Sequence, residues 1–193
     1  MKKLYFIFLA VMFGVVAIGF AGCSSDSEDG GSTSNESSDY IEVSINGKTY
    51  RKYVKGIYAS TPTDRYGLYR TSSTEDIFSK EGFSVFYSLT HYEDMGELLE
   101  SSLGSYDVIT TTDYVDDADN LSLWLDYEDD SDYYEIKSGK HKVTSIRAKE
   151  VETQFGTYDG VVIEGTFDLV MTAEYYTSDS QCKISGKYRM TVY

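Results

Sequence analysis

The runs VVIEGTFDLVMTAEY, residues 161–175, and CKISGKYRMTV, residues 182–192, decide the fold. In the first, every odd position except Gly165 is apolar or aromatic, and in the second every even position except Gly186 is so. A period of two puts those side chains on one face of a strand. The chain between them, Tyr176 to Gln181, reads as a turn, so the two runs form a long antiparallel hairpin. Facing Tyr175 with Cys182 sets Ala173 against Ile184, Leu169 against Tyr188 and Phe167 against Met190, all toward the core. Gly165 and Gly186 fall inside the strands, where glycine marks a bend or bulge and makes the hairpin curved.

The same alternation recurs upstream. Ile41, Val43 and Ile45 share a face, Asn46-Gly47 supplies the two positive-φ positions of a type I′ turn, and the return strand runs from Thr49 to about Tyr58. Residues 60–70 are loop-like in composition. Phe83, Val85, Tyr87 and Leu89 alternate with mostly polar neighbours. Further strands are predicted at 106–111 and 121–127, the second with Leu121, Leu123, Leu125 and Tyr127 inward and Ser122, Trp124 and Asp126 outward. One helix is predicted between Asp94 and Gly104: Asp94 caps it with Glu97 three residues on, Met95, Leu98, Leu99 and Ser102 share a face, and Gly104 takes the C′ position. Strands at this spacing, about 8 to 10 of them with mostly short turns, predict a single all-β domain over residues 40–193, an antiparallel β-sandwich or barrel with one short helix.

The chain has 193 residues with 32 acidic and 17 basic side chains, a net charge of −15. No lysine or arginine lies between Lys80 and Lys137, an interval that holds 16 acidic residues. Nucleic acid and anionic headgroups are poor partners for such a surface. Residues 1–22 begin with Lys2 and Lys3, continue through an apolar run from Leu4 to Phe20 and end on small residues at Ala21 and Gly22. That is the layout of a secretory signal peptide, and the run is short for a spanning helix. Cys23 follows at once, so the junction resembles a bacterial lipobox, in which the cysteine is lipidated and becomes the first mature residue. Several acyl chains at Cys23 would hold a protein stably to a membrane. Residues 24–39, SSDSEDGGSTSNESSD, contain no apolar side chain and read as a solvated, flexible tether. With Cys23 acylated, Cys182 has no intrachain thiol partner.

The opening Ile45-Asn46-Gly47-Lys48-Thr49-Tyr50 hairpin and the closing Gly165-x-Phe167 and Gly186-x-Tyr188 strands resemble small Bacteroidetes lipoproteins with calycin-like β-domains. The acidic run after Cys23 is similar to the export signal of surface-exposed lipoproteins in that group. The resemblance implies an outer-membrane lipoprotein facing the exterior, with a periplasm-facing anchor as the alternative, and brings no activity or site residue with it.

Three sets of residues are candidate sites. Asp113, Asp116, Asp117 and Asp119 precede one predicted strand, and Asp130 and Asp132 follow it, oxygen donors suited to calcium. Neither run fits an EF-hand loop, and a seven-residue strand would hold the two about 20 Å apart, so they are two calcium sites or two solvated loops. His91 and His141 are the only histidines. They could share a haem or a metal, but no flanking pattern supports this, and His141 between Lys140 and Lys142 reads as exposed. Trp124 breaks the polar face of its strand and Phe86 that of another. If those strands are neighbours, the two rings form an outward platform for a sugar or a partner; otherwise that face packs beneath a loop or second sheet. Cys182 alternates inward and reads as an inert thiol, and no nucleophile has an evident base. The expectation is a non-enzymatic, lipid-anchored binding or adhesion module for a glycan or protein. Its rival is a lipocalin-like carrier of a small apolar ligand or haem, which needs a cavity that the large inward residues would tend to fill.

Overall fold

A computed structural model describes residues 38–54, 59–62, 68–72, 78–92, 94–113, 118–129, 132–173 and 180–193, with backbone alone for 59–62 and 68–72. The predicted signal peptide, Cys23 and nearly all of the tether lie outside the described residues.

The domain is all-β and antiparallel. Its strands are β1 (Tyr40–Ile45), β2 (Lys48–Tyr53), β3 (Ala59–Pro62), β4 (Leu68–Ser72), β5 (Phe83–Tyr92), β6 (Gly104–Tyr106), β7 (Leu123–Asp129), β8 (Tyr133–Thr153), β9 (Gly156–Ala173) and β10 (Gln181–Val192), with one short helix α1 (Met95–Glu100). They form a single sheet in the order β2-β1-β10-β9-β8-β7-β5-β4-β3, with β6 against β8.

That order forces the sheet to curl. Nine strands in file at about 4.8 Å spacing would span roughly 38 Å if flat. The two edge strands are nevertheless consecutive in the chain, and the six residue-to-residue steps from Tyr53 to Ala59 reach at most about 21 Å. Side chains meet across the resulting interior. The Tyr50 ring of β2 lies 4.9 Å from Phe83 of β5 and Tyr87 of β5 lies 6.1 Å from Tyr188 of β10, and at the surface Lys52 of β2 pairs with Glu81, just ahead of β5, at 2.9 Å. The result is an open barrel whose inside is lined by alternate residues of every long strand.

The first hairpin forms at the predicted turn, but its return strand ends at Tyr53 rather than near Tyr58, and residues 55–58 lie outside the described residues. Ile41, Val43 and Ile45 are buried, and Asn46 and Gly47 have φ of 52° and 79°. Nothing crowds the Gly47 position, so Gly47→Ala isolates the backbone cost of left-handed φ. Equilibrium denaturation should show a loss of about 1 kcal/mol; no loss would mean that the turn relaxes to another type.

The closing hairpin pairs differently from the sequence expectation. Cys182 faces Met171, Ile184 faces Leu169, Tyr188 faces Gly165, Met190 faces Ile163 and Gly186 faces Phe167. The offset is four residues, so the same side chains still point inward. Glycine and ring explain the choice. A Cβ at Gly165 would lie 2.5 Å from the Tyr188 hydroxyl, and one at Gly186 would lie 2.7 Å from the Phe167 ring. Each glycine is the gap into which the partner strand's aromatic lies.

Other boundaries move as well. Residues 60–70 are not all loop, because β4 pairs with β5 and β3 with β4 despite their polar composition. The helix ends at Ser101 rather than at Gly104, which opens β6 with φ 151°. Asp94 does cap it, accepting from Gly96 N at 2.7 Å. Of its predicted apolar face only Leu98 is fully buried. The predicted strand at 106–111 is a wedge. β8 pairs with β7 only at Tyr133 and Tyr134, then bulges between Ile136 and Ser138 and leaves it. Residues 104–111 fill the opening: β6 pairs with β8, Ile109 N bonds to Leu123 O and Thr111 N bonds to Ile136 O. Leu121, at φ 64°, belongs to the turn ahead of β7.

Candidate functional site

The predicted outward platform lies on β5 and β7, which are neighbours. Phe86 faces Asp126, and Ser88 faces Trp124, so the two aromatic residues are diagonal neighbours on one face. Phe86 is 39% exposed, while Trp124 is half-buried. Tyr92, on the same face by alternation and 42% exposed, extends the aromatic row and was not singled out from sequence. Between the rings the face is less open than alternation alone predicts: Ser88, Ser122 and Asp126 are buried. Phe86 and Tyr92 are therefore exposed on a face whose intervening serine and aspartate side chains are covered.

The acidic candidates separate as expected into two places. Asp113 and Asp119 line a cleft of about 420 Å³ together with Asp107 and Ser122, and Asp107 is an addition to the predicted set. Asp113 is already engaged, accepting from Thr110 N at 2.8 Å and from Thr110 Oγ1 at 2.9 Å. Asp132 sits at the β7–β8 turn, where it accepts from the Tyr134 hydroxyl at 3.3 Å and its amide donates to Asp129 Oδ1 at 3.0 Å. Asp116, Asp117 and Asp130 lie outside the described residues. Among the described residues no three histidine, cysteine, aspartate or glutamate side chains are grouped as a metal would need.

His141 is the clearest departure from the sequence reading. It is not exposed beside its lysines but 1% exposed, inside the barrel, hydrogen-bonded through Nε2 to the Tyr188 hydroxyl at 2.8 Å. The bulge after Ile136 resets the alternation of β8, so Lys140 and Lys142 point out and His141 points in. Burial pushes its pKa down to about 4, with the Leu121 backbone offsetting this in part. Burial likewise keeps the Tyr188 hydroxyl protonated, well above the ordinary tyrosine value. Tyr106 and Tyr87 pack against the same pair, with ring centroids 6.3 Å and 6.1 Å away. His91 is also buried, its Nδ1 2.7 Å from the Tyr92 carbonyl oxygen, and burial lowers its pKa. Cys182 is half-buried rather than fully so, and desolvation, aided by the Asp129 charge, pushes its thiol up to about 11. At neutral pH it carries no thiolate.

A further apolar feature went unnoticed in the sequence. β8 and β9 continue past the body of the sheet as a two-stranded ribbon, Lys149 pairing with Gly160 and Thr153 with Gly156. Phe155 at its tip is 80% exposed. A groove of about 670 Å³ runs along the ribbon between Phe155, Tyr158 and Tyr193. At the ribbon's base the chain enters the domain. The Asp39 carboxylate accepts from Thr191 N at 2.9 Å and Thr191 Oγ1 at 2.8 Å, with Arg189 Nε 3.7 Å away. Burial raises the Asp39 pKa, and bonds from Thr191 and the charges of Lys149 and Arg189 oppose the rise. Arg189 also donates to Glu164 at 3.1 Å, which Arg147 reaches at 2.9 Å. The bonds of Asp39 fix the residue just ahead of β1 to the last strand.

Set against known proteins at a significant level, the chain matches no family model, no curated protein and no solved structure. Among the described residues no helix is long and apolar enough to cross a membrane.

Proposed function

We propose that the chain is a non-enzymatic, lipid-anchored protein of the outer-membrane surface that binds a glycan or protein ligand on the outside of its barrel. The observation that carries this reading is the filling of the interior. Tyr87, Tyr188, Phe167 and His141, with Leu89, Leu125 and Ile163 around them, are all at most 4% exposed. A carrier of a small apolar ligand or haem needs that volume free, so recognition falls to the outer surface. There Phe86 and Tyr92 are exposed and Trp124 half-buried on one face of neighbouring strands, aromatic side chains of the kind that stack on a sugar ring or a partner. Lipidation of Cys23 rests on the lipobox-like junction, and an outward-facing position on the acidic run that follows it.

A glycan array run with the parent and with Trp124→Ala tests the surface. The parent is expected to bind a restricted set of glycans and the variant to bind them about tenfold more weakly, the loss of roughly 1.4 kcal/mol from one stacked ring. No binding by the parent, or equal binding by both, removes the platform from consideration.

A further inference from the structure

We infer that the acidic cleft ahead of β7 binds an alkyl polyamine, with its ammonium groups on Asp107, Asp113 and Asp119 and its methylenes on Val108 and Ile109. Neither the aromatic platform nor the lipid anchor is needed for this site.

The cleft has a fixed frame. Its volume of about 420 Å³ is in the range of small-molecule sites. Leu123 of β7 ties down one wall: its N donates to Asp107 O at 3.0 Å and its O accepts from Ile109 N at 2.9 Å. Asp119 is held in the turn ahead of β7, its carbonyl oxygen accepting from Ser122 N at 3.1 Å and from Thr90 Oγ1. Asp113 N donates to Thr110 O at 3.1 Å, and its Oδ2 accepts from both Thr110 N and Thr110 Oγ1, which leaves Oδ1 for a ligand. Three carboxylates thus stand on backbone that is already ordered, so a ligand has little left to order.

Those carboxylates lack a counter-charge. Among the described residues none of the three is in an ion pair. No lysine or arginine lines the cleft or occurs between Lys80 and Lys137. A cleft lined by one sign of charge concentrates the opposite sign.

An independent sign of a ligand is Ser122, which lines the cleft and is 1% exposed. Its N donates to Thr90 Oγ1 at 3.0 Å and its O accepts from Thr90 N at 3.1 Å. Its buried Oγ has no hydrogen-bond partner among the described residues. A hydroxyl left in that state is costly, and an ammonium group among the carboxylates supplies the missing donor.

The spacing favours an organic cation over calcium. Calcium gathers its oxygen ligands within about 2.3 to 2.6 Å, and among the described residues no three acidic side chains are so grouped. Ammonium groups separated by methylenes reach carboxylates that stand apart, and Val108 and Ile109 offer the methylenes an apolar wall.

Isothermal titration calorimetry of the full chain with spermidine at low salt tests the site. A single spermidine per chain is expected to bind, and Asp107→Asn combined with Asp119→Asn to weaken it about tenfold. Both side chains are exposed, so the double variant keeps its fold, which an unchanged circular dichroism spectrum verifies. Ser122→Ala should weaken binding about threefold with no change of charge; an unchanged affinity overturns the part given to Ser122. A chain of net charge −15 attracts polyamines everywhere. The control is therefore Glu150→Gln with Glu152→Gln, which removes the same charge from the β8–β9 ribbon and should leave binding as it is. Equal weakening by the two double variants, or none by either, shows diffuse counter-ion attraction and overturns the site. Saturable calcium binding that the aspartate variant loses, with no heat from spermidine, overturns the polyamine in favour of a metal. A lysine-rich peptide that binds as tightly as spermidine overturns the free amine in favour of a protein side chain.

Discussion

Gly186→Ala is expected to destabilise the domain by about 3 kcal/mol, far more than a methyl group usually does in a strand. The new Cβ would lie 2.0 Å from the Glu42 carbonyl oxygen, 3.1 Å from the carbon that bears it, and 2.7 Å from the Phe167 ring. Two of those atoms are backbone of β1, paired to β10 through Val43 and Gly186, so a rotamer change cannot relieve the contact. The opposing effect is loss of unfolded-state freedom, which stabilises alanine over glycine by about 0.4 to 1 kcal/mol. The clash wins by a wide margin. For a domain of this size the midpoint of thermal unfolding should fall by roughly 6 to 12 °C. A midpoint within about 2 °C of the parent's would show that β1 and β10 are not in this register.

The second large effect is pH-dependent. In the unfolded chain His141 titrates near 6.5, and in the folded barrel near 4. Between those values the unfolded state binds more protons, so stability is full above pH 6.5 and is lost as pH falls toward 4. The two values bound the loss at about 3 kcal/mol. His91 acts in the same direction, whereas Asp39, with its pKa raised, gains relative stability as pH falls. The comparison is therefore best made against His141→Gln, which keeps a hydrogen-bonding group toward Tyr188 and does not titrate. Chemical denaturation at pH 7.5 and pH 4.5 should show a much larger fall in the parent than in the variant. Equal falls would place the acid sensitivity elsewhere.

The faces of the strands were legible in the sequence because burial on one side imposes a period of two, which holds in β1 and from Ile163 to Met171 but is lost where both faces are covered, as from Tyr87 to His91 and from Tyr188 to Val192. Register was not. A shift of four residues leaves every inward residue inward, so alternation cannot detect it; only the rule that a glycine in one strand accepts a ring from the next would have paired Gly165 with Tyr188. His141 was lost for a related reason. Its parity matches that of Val143 and opposes that of Lys140 and Lys142, but the bulge between Ile136 and Ser138 breaks the count from Tyr134. Nothing local marks that bulge, because it arises where β8 parts from β7 and residues 104–111 enter. Phe86 and Trp124 stood out as rings on a polar face, and their strands are indeed adjacent. The burial of Ser88 and Asp126 between them depends on contacts that no alternation pattern carries.

Among the described residues the unclosed sheet leaves β2 and β3 with free edges, and such edges invite copies of one chain to zip together into fibrils. The sequence has placed a guard there. Three of the six residues of β2 are Lys48, Arg51 and Lys52, a dense basic run in an otherwise acidic protein, and β3 is only four residues long and ends in Pro62. Like charge repels the same edge of a neighbour, and a short strand closed by proline gives an incoming one little to pair with. Neutralising Lys48 and Arg51 would thus open this edge to pairing with a second copy, while Lys52 stays in its pair with Glu81.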